Sequence, residues 1–289
     1  MAITKVGVVG GGLMGSGIAQ TAAQSGYDVL LLEINQELLD KGMARVTGAW
    51  DMLQNKGRIT AEQAEQHRGH IRGTLELGDF ADRDLVIEAI IENLDQKRAL
   101  FRQLDQIIRP GAILVSNTSS LPITELAAVT GREARVAGLH FFNPAPVMKL
   151  VEIVRTIATS DETAEELRAF ARSLGKTPII AKDTAGFVVN FLLIPYMLAA
   201  IRMYEHGIAS MEDIDTGMKL GCGYPMGPFE LLDYVGLDTT LYAAEQIYAE
   251  NPDPAYAPPT LLRRMVQAGR YGKKNGKGFY VGTEKAPNA

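Results

Sequence analysis

The chain has 289 residues, a length typical of roughly two domains. Its 29 Lys and Arg residues and 34 Asp and Glu residues give a formal net charge of −5, without a long basic run, so binding to nucleic acid phosphates is not expected. Hydrophobic residues make up 46% of the chain, which is enough for a sizeable core and argues against disorder. The single cysteine, Cys222, excludes an internal disulfide and favours a reducing, cytoplasmic location.

Two segments bear on targeting and membrane insertion. Residues 1–5 (MAITK) carry one positive charge and run directly into an apolar strand, so no export signal is predicted. Residues 184–201 contain no charged side chain and approach the length of a membrane span. Because this stretch holds Asn190 and Pro195 and charged residues flank it, we predict a buried helix and no membrane span.

The first half of the chain alternates between apolar runs and helical patterns. In chain order we predict strand 5–10, helix 13–25, strand 28–32, helices 36–55 and 61–68, strand 85–89, helix 94–108, strand 112–116 and strand 136–142. This alternation is typical of βαβ units that build a mainly parallel sheet.

The connection after strand 136–142 is of another kind. The next predicted strand, 149–155, follows a loop of only six residues, NPAPVM. A parallel crossover needs about a dozen residues or more, so these two strands are antiparallel if they are neighbours. A turn centred on Pro146 sets His140 opposite Glu152, since each lies six residues from that proline.

The last third of the chain changes character. Helix 163–174 and strand 178–181 are followed only by predicted helices, at 187–204, 211–220, 228–234, 237–249 and 260–268. We therefore predict two domains, 1–183 and 184–289. The first is an α/β domain with a Rossmann-type, doubly wound, mainly parallel sheet whose last strands are antiparallel, and the second is all-helical.

A glycine-rich turn joins the first predicted strand to the first helix. The six residues Gly10-Gly11-Gly12-Leu13-Met14-Gly15 match GxGxxG in the strand–turn–helix context that makes the motif informative. Gly10 would permit the turn, Gly12 would let the backbone approach a pyrophosphate, and Gly15 would let helix and strand pack closely. The motif predicts a dinucleotide site.

Glu33 indicates which dinucleotide binds. It ends the second predicted strand, 18 residues after Gly15, where a carboxylate accepts hydrogen bonds from the adenosine ribose. A carboxylate repels a 2′-phosphate, and the following Ile34 and Asn35 supply no arginine. The predicted cofactor is therefore NAD rather than NADP.

One of the four histidines stands out as a candidate acid–base group. His140 lies in an apolar strand near the ligand edge of the sheet, with Glu152 predicted across from it. That pairing suits a general base held in one tautomer. His67 and His70 lie in a charged stretch and are expected to be solvated, and His206 is expected at a helix C-terminus. Hydroxyl groups in the segment 116–120 (SNTSS) either bond a substrate oxygen or only cap a helix.

Four motifs, in order along the whole chain, resemble those of the short-chain L-3-hydroxyacyl-CoA dehydrogenases. They are HFFNPAP at 140–146 with LVE at 150–152, DTAGFVVN at 183–190, MGPF at 226–229 with Asp233 and GLD at 236–238, and GKKNGKGFY at 272–280. Within that family the chain is most similar to the bacterial group acting on 3-hydroxybutyryl-CoA.

The resemblance implies NAD-dependent interconversion of short (3S)-3-hydroxyacyl-CoA and 3-oxoacyl-CoA. His140 would take the proton of the C3 hydroxyl, Glu152 would orient the imidazole, and Ser119 and Asn190 would bond the C3 oxygen. Contacts to NAD are implied for Glu92, Lys97, Ser119, Asn143 and Lys274, and a CoA contact for Lys56. A lysine at Lys56 also suits the CoA phosphates, although a solvated helix-end lysine is an equal interpretation.

Two positions depart from the family pattern. Phe191 stands where the family commonly has arginine, and Met52 stands where some relatives have a second lysine on the CoA side. The first departure would alter polar contacts between the domains, and the second would weaken or shift the binding of CoA. Neither touches His140 or Glu152, so activity is expected to survive.

Other functions stay open on the sequence alone. A dehydrogenase of a free sugar acid such as gulonate would share the glycine turn and the histidine. A non-catalytic NAD-binding protein of the lens-crystallin kind would not need His140, Glu152, Ser119 and Asn190. A sensor binding a dinucleotide and a macromolecule has no basic patch to support it. The apolar helices of the second domain, expected to close over the substrate, predict a homodimer; no metal site is predicted, and Cys222 is taken as incidental.

Overall fold

A computed structural model describes residues 3–280. Residues 1–2, part of the segment for which no export signal is predicted, and 281–289, the end of the second predicted domain, lie outside the described residues. The chain separates into two compact units, Met1–Asp183 and Thr184–Ala289.

The described part of the first unit contains one eight-stranded sheet. Its strands are β1 (Lys5–Val9), β2 (Asp28–Leu32), β3 (Ile71–Thr74), β4 (Leu85–Glu88), β5 (Ile113–Ser116), β6 (Val136–Phe141), β7 (Leu150–Arg155) and β8 (Thr177–Lys182). The spatial order is β3-β2-β1-β4-β5-β6-β7-β8. Neighbours are parallel except β6 and β7, so β7 and β8 run against the others. The predicted fold class is confirmed.

Helices of the first unit connect these strands. They are α1 (Leu13–Gln24), α2 (Gln36–Asn55), α3 (Ala61–Gly69), α4 (Leu94–Ile107), α5 (Ile123–Ala127) and α6 (Asp161–Ser173). The central strands are largely apolar, and all four residues of β4 and of β5 are buried, including Glu88 and Ser116 at their ends. A sheet buried on both faces needs such continuous apolar strands.

The strand order places the edge at which a ligand can bind. The chain proceeds from β1 outward to β2 and β3, then returns to the other side of β1 with β4. Such a reversal opens a crevice at the carboxyl ends of β1 and β4. The glycine turn follows β1, and the hydroxyl-rich segment 116–120 follows β5 at the same edge.

The sequence analysis missed strand β3 and helix α5, and several predicted element ends are shifted by one or two residues. Strand β3 was not predicted, because it is a short edge strand in which Arg72 and Gly73 are exposed and the apolar alternation is missing. Helix α6 begins at Asp161, two residues before the predicted start, because the Ser160 side chain accepts a hydrogen bond from the Thr163 N–H and caps the helix there.

The described part of the second unit is helical, as predicted. Its helices are α7 (Val189–Glu205), α8 (Met211–Cys222), α9 (Pro228–Val235), α10 (Leu237–Glu250) and α11 (Thr260–Gln267). Buried residues of α7, among them Met197 and Leu198, form its core with residues of the other helices. Between residues 3 and 280, no helix combines the length and apolarity that a membrane crossing requires.

Two buried aspartates organise the second unit. The Asp215 carboxylate accepts hydrogen bonds from the N–H groups of Phe229 and Glu230, at 2.8 and 3.0 Å, and thereby caps α9. The Asp233 carboxylate accepts from the N–H groups of Phe279 and Tyr280, at 2.7 and 2.9 Å. In both cases the backbone N–H donors offset the cost of burying a carboxylate.

Candidate active site

The glycine turn has the geometry that its sequence predicts. Gly10 has φ +99°, and a Cβ there would lie 2.7 Å from the Ala89 carbonyl oxygen. A Cβ at Gly15 would lie 1.8 Å from the Gly10 carbonyl oxygen, so α1 can approach β1 only because that side chain is absent. These two glycines are therefore required by the fold of the turn itself.

Gly12 differs from the other two motif glycines. No atom lies within 4 Å of the position that its Cβ would take. Gly12 is the N-cap of α1, and no side chain caps this helix, whose first turn has no acidic residue. Open space beside uncapped N–H groups at a helix N-terminus is suited to the pyrophosphate of a dinucleotide. The turn therefore fits the predicted NAD.

Glu33 lies at the end of β2 beside this turn. Its Oε1 accepts a hydrogen bond of 2.6 Å from the Gly11 N–H. On the other side of the same residue, Arg45 Nη1 of α2 donates to the Gly11 carbonyl oxygen at 3.0 Å. Gly11 is thus held from two sides, and the half-buried Glu33 carboxylate stands where a ribose would be bound.

His140 and Glu152 form a buried pair on β6 and β7. The two residues are direct partners in the antiparallel register, as the loop length predicts, so their side chains share one face of the sheet. His140 Nδ1 donates to Glu152 Oε2 at 2.6 Å, and the side chains are 6% and 0% exposed. A proton on Nδ1 leaves Nε2 with its lone pair. The ring of Phe142 packs against the imidazole, with centroids 4.6 Å apart.

Ser119 lies on the other side of the imidazole. Its Oγ is 3.1 Å from His140 Nε2 and donates to that nitrogen in the tautomer that Glu152 selects. Asn117 Oδ1 accepts from the Phe141 N–H at 2.9 Å and ties the same segment to β6. Segment 116–120 is therefore more than a helix cap, because it brings a hydroxyl group to the candidate base.

The far end of this segment is held by Asp183. Its carboxylate accepts hydrogen bonds from the N–H groups of Ile123 and Thr124 at 3.0 and 2.6 Å, and from the Thr124 hydroxyl at 2.6 Å. These bonds satisfy the N-terminus of α5, which the sequence patterns did not predict. The loop carrying Ser119 is therefore fixed at both ends.

Glu92 and Lys97, two of the residues for which an NAD contact is implied, lie next to Ser119 in a polar cluster. The Glu92 carboxylate is 31% exposed and accepts from the Thr118 hydroxyl and, at 3.2 Å, from the Ser119 N–H. Lys97 Nζ lies 3.3 Å from Glu92 Oε2. The Lys97 side chain is 1% exposed, so its ammonium faces protein carboxylates rather than open space.

Glu88 completes this cluster and was missed by the sequence reasoning. It ends β4, is 0% exposed, and accepts a 2.5 Å hydrogen bond from Lys97 Nζ. Its other oxygen accepts from the Ser116 hydroxyl at 2.5 Å. A glutamate at the end of a fully apolar strand was the signal that could have identified it, because such a charge must find a buried partner.

Asn143 lies in the exposed turn between β6 and β7, before a cis peptide bond to Pro144. The turn is anchored by Lys176, whose buried Nζ donates to the carbonyl oxygens of Ala145 and Met148 at 2.6 and 2.8 Å. Burial, together with the nearby Lys149, lowers the pKa of Lys176. The turn is therefore fixed by its hydrogen bonds to the buried Lys176, while Asn143 lies at the surface.

Two predicted site residues, Asn190 and Lys274, and the departing residue Phe191 lie in the second unit. Asn190 lies in the first turn of α7 and is half-buried. Lys274 Nζ donates to Asp238 Oδ1 at 2.8 Å and to the Thr239 hydroxyl at 2.5 Å. Phe191, in the position where the family commonly has arginine, packs on Tyr256 with ring centroids 5.0 Å apart.

Lys56 and Met52 are both exposed near the end of α2. No contact among those of the described residues joins Lys56 to His140 or Ser119. An exposed lysine agrees with either of its two interpretations, as a contact to CoA phosphates or as a solvated helix end.

The remaining histidines are divided between two environments. His67 is half-buried rather than solvated, because its ring packs on Trp50 with centroids 5.8 Å apart. Burial and, secondly, the nearby His70 lower the pKa of His67. His206 is the exposed C-cap of α7, as predicted. His70 is also half-buried rather than solvated. None of these three histidines belongs to the polar cluster of Glu88, Glu92 and Lys97.

Comparison with known proteins shows the family to which the chain is similar. Residues 5–184 match the family described as 3-hydroxyacyl-CoA dehydrogenase, NAD binding domain, and residues 186–282 match its C-terminal domain. A probable 3-hydroxybutyryl-CoA dehydrogenase of Deinococcus radiodurans is 50% identical over 276 residues, covering 96% of this chain and 99% of that protein. The human mitochondrial hydroxyacyl-coenzyme A dehydrogenase is 47% identical over 287 residues, covering 96% and 91%. The crystal structure of (S)-3-hydroxybutyryl-CoA dehydrogenase from Ralstonia eutropha has TM-score 0.94 and 45% identity, covering 97% and 99%.

Proposed function

The chain belongs to the 3-hydroxyacyl-CoA dehydrogenase family, whose members are NAD oxidoreductases, and from this premise we propose that it interconverts (3S)-3-hydroxybutyryl-CoA and acetoacetyl-CoA. The observation that carries the proposal is the buried His140–Glu152 pair beside the strand ends that also carry the glycine turn. A positioned base next to a dinucleotide site is what the removal of a hydroxyl proton and a hydride requires.

In the oxidation direction His140 acts as the general base. Its Nε2 accepts the proton of the C3 hydroxyl as the C3–O bond becomes a carbonyl. When bound, NAD⁺ would supply the acceptor for the hydride of C3. The imidazolium so formed is stabilised by the Glu152 carboxylate, 2.6 Å from Nδ1. In the reverse direction the same Nε2 returns the proton to the carbonyl oxygen.

Ser119 and Asn190 are proposed to bond the C3 oxygen. Ser119 Oγ already lies within hydrogen-bond distance of His140 Nε2. One hydroxyl group of the substrate can therefore bond Ser119 and His140 at the same time. The role of Asn190 rests on the family resemblance alone. Substituting each by alanine should lower turnover without removing NADH binding.

The cofactor residues are proposed partly from the geometry of the glycine turn and partly from the family resemblance. Gly10 and Gly15 shape the turn, while Gly12 and the adjoining Leu13 and Met14 offer the N-terminus of α1 to the pyrophosphate. Glu33 is proposed to bind the adenosine ribose. Glu92, Lys97, Asn143 and Lys274 are carried over from the resemblance, and Lys56 is proposed to meet CoA phosphates.

The first test is oxidation of NADH with acetoacetyl-CoA, with acetoacetate and NADPH as parallel controls. Rapid oxidation that requires both the CoA ester and NADH supports the reaction, the cofactor and the need for CoA together. Oxidation of NADH by free sugar or keto acids instead would favour a sugar-acid dehydrogenase. NADH binding without turnover of any substrate would favour a non-catalytic NAD-binding protein.

We also propose a homodimer built on the second unit, which carries strongly exposed apolar side chains. Leu192 is 68% exposed, Ile208 is 64% exposed and Leu220 is 83% exposed. Exposed apolar area of this kind is typical of a surface that a second subunit covers. Light scattering after gel filtration tests this point, and a lasting monomer at micromolar protein would refute it.

A cytoplasmic location remains part of the proposal. The single cysteine, Cys222, is a free thiol at the surface. A reducing compartment keeps such a thiol reduced. Fractionation of cells that express the protein, with an antibody to the native chain, tests the location.

A further inference from the structure

Glu88 is a buried carboxylate that has no direct part in the proposed reaction. It is 0% exposed, and its Oε1 accepts from Lys97 Nζ at 2.5 Å and from the Ile90 N–H at 2.7 Å. Its Oε2 accepts from the Ser116 hydroxyl at 2.5 Å. Glu88 therefore joins the ends of β4 and β5 to the first turn of α4. A buried charge with three donors is held in one position.

Lys97 connects Glu88 to a second carboxylate. Its Nζ lies 3.3 Å from Glu92 Oε2, and the side chain is 1% exposed. The three residues form a triad in which one buried ammonium is shared by two carboxylates. In a site of low dielectric, removing one charge redistributes the position of the other two.

The triad reaches the candidate base through Ser119. The Glu92 carboxylate accepts hydrogen bonds from the Thr118 hydroxyl and from the Ser119 N–H, the latter at 3.2 Å. Ser119 Oγ in turn lies 3.1 Å from His140 Nε2. The Ser116 hydroxyl supplies a second route, because it donates to Glu88 and accepts from the Thr118 N–H at 3.2 Å.

We propose that Glu88 is a positioning residue for the reaction: through Lys97 and Ser116 it holds the 116–120 segment so that Ser119 Oγ stays on His140 Nε2. Glu88 touches neither His140 nor Ser119, and it acts through the residues between them. The inference rests on the proposed function, because its consequence is the placement of the substrate hydroxyl between Ser119 and His140.

The charge of Glu88, and not only its volume, is essential to this role. Glutamine at this position keeps the size and a neutral oxygen acceptor for Ile90 and Lys97, but it leaves Glu92 as the only carboxylate of the triad beside the buried Lys97 ammonium. The ammonium is then drawn towards Glu92 and competes with Thr118 and Ser119 for that carboxylate. Displacements of about 1 Å at a reacting group cost up to roughly 10²-fold in rate.

The experiment compares Glu88→Gln with Asp105→Asn. Asp105 belongs to another nearly buried ion pair of the same unit, with Arg132 at 2.6 Å, and its carboxylate is bonded to Arg132 and the Gly131 N–H rather than to the triad or Ser119. Both variants should lower the melting temperature. Only Glu88→Gln should lower kcat for acetoacetyl-CoA reduction, by roughly 10–100-fold, with the KM for acetoacetyl-CoA within about threefold of wild type.

A double-mutant cycle with Ser119→Ala tests the route. If Glu88 acts through Ser119, Glu88→Gln should cost less than about threefold in kcat when Ser119 is already alanine. Additive losses, an unchanged kcat in Glu88→Gln, or an equal loss in Asp105→Asn would each overturn the positioning role. Should Glu88→Gln not fold, Ser116→Ala keeps all three charges and should show a smaller loss with the same dependence on Ser119.

Wild-type turnover measured in parallel distinguishes failure of the proposed function from failure of the positioning role. If the wild type does not reduce acetoacetyl-CoA with NADH, the proposed function fails. If the wild type turns over and Glu88→Gln does so equally well, only the positioning role fails.

Discussion

His140 Nδ1 and Glu152 Oε2 are 2.6 Å apart at directly opposed positions of two antiparallel strands. Because both side chains are almost completely buried, neither can exchange its partner for water without a change in the sheet. The imidazole is therefore held in one tautomer and one orientation, with Nε2 as the nitrogen that would meet the substrate in the proposed reaction.

We expect His140→Ala to lower turnover with acetoacetyl-CoA by ~10²–10⁴-fold, the usual effect of losing a positioned acid–base group. NADH affinity, measured by fluorescence titration, should stay close to that of the wild type. His206→Ala is the matched control, since His206 is an exposed helix cap, and it should retain wild-type turnover. Wild-type turnover in His140→Ala would contradict the mechanism.

The second prediction concerns cofactor choice. Glu33→Ala should weaken the binding of NADH more than that of NADPH, because the carboxylate that favours a ribose hydroxyl and repels a 2′-phosphate is removed. Part of the loss should be common to both cofactors, since the Gly11 N–H also loses its 2.6 Å acceptor. Dissociation constants for the two nucleotides measure the ratio. An unchanged ratio would count against the ribose assignment.

Two alanine substitutions in the glycine turn should differ in their effects on stability and on NADH binding. At Gly15 a Cβ collides with the Gly10 carbonyl at 1.8 Å, so Gly15→Ala should lower the melting temperature as well as NADH affinity. At Gly12 the added methyl group meets no protein atom, so Gly12→Ala should fold with near wild-type stability and yet bind NADH weakly. Thermal denaturation with and without NADH distinguishes them, and normal NADH binding by Gly12→Ala would contradict the predicted pyrophosphate position.

Asp105 should make the stability of the first unit depend on acid pH. Burial by itself would raise the pKa of its carboxyl, but the hydrogen bond from Arg132 and the one from the Gly131 N–H outweigh it, so the pKa lies below the ordinary value of 3.8. The folded state therefore binds this proton less readily than the unfolded state. The stabilisation is complete above pH ~4 and is lost as the pH falls through the folded pKa.

Asp105→Asn should accordingly lower the free energy of unfolding by about 1–3 kcal/mol at neutral pH. The difference from the wild type should shrink as the pH falls below ~4, where the wild-type carboxyl is itself protonated. Urea denaturation at a series of pH values measures both effects. A difference that stays constant down to pH ~2 would show that Asp105 is not titrating in this way.

Lys176→Met should destabilise the turn between β6 and β7. Two charge-assisted hydrogen bonds to the carbonyl oxygens of Ala145 and Met148 are lost, and both acceptors lose the donor that now holds them. We expect about 2–4 kcal/mol lower stability in urea denaturation. Lys149→Met, at an exposed position nearby, is the control and should change stability little. Equal effects of the two variants would contradict an anchoring role for Lys176.

Loop length and side-chain spacing were sufficient to predict the central relationship of the site. Six residues between two strands permit only a tight antiparallel connection, and counting from Pro146 placed His140 opposite Glu152. The glycine turn was equally predictable, because the steric demand at Gly10 and Gly15 arises from the turn and not from distant packing.

Glu88 and Lys97 were not predictable in the same way. A glutamate at the end of an otherwise apolar strand signals a buried partner, but the sequence does not identify that partner, and a lysine on a helix looks like a solvated position. Their burial depends on how α4 lies on the sheet, which brings two residues nine positions apart to within 2.5 Å. The short strand β3 was missed for a related reason, since its pairing with β2 is made by the backbone and not by an apolar pattern.

Asp215 and Asp233 make the folding of the second unit depend on residues that follow them much later in the chain. Asp233 draws its donors from Phe279 and Tyr280, and the Tyr280 hydroxyl also donates to Asp215 at 3.0 Å. During synthesis on the ribosome both carboxylates emerge long before residues 279 and 280. Until then the Asp233 carboxylate lacks the Phe279 and Tyr280 N–H donors, so this connection between α9 and residues 279–280 is not yet made. A chain truncated before residue 279 should therefore hold the helical unit less firmly and be cleaved by proteases faster than the full chain.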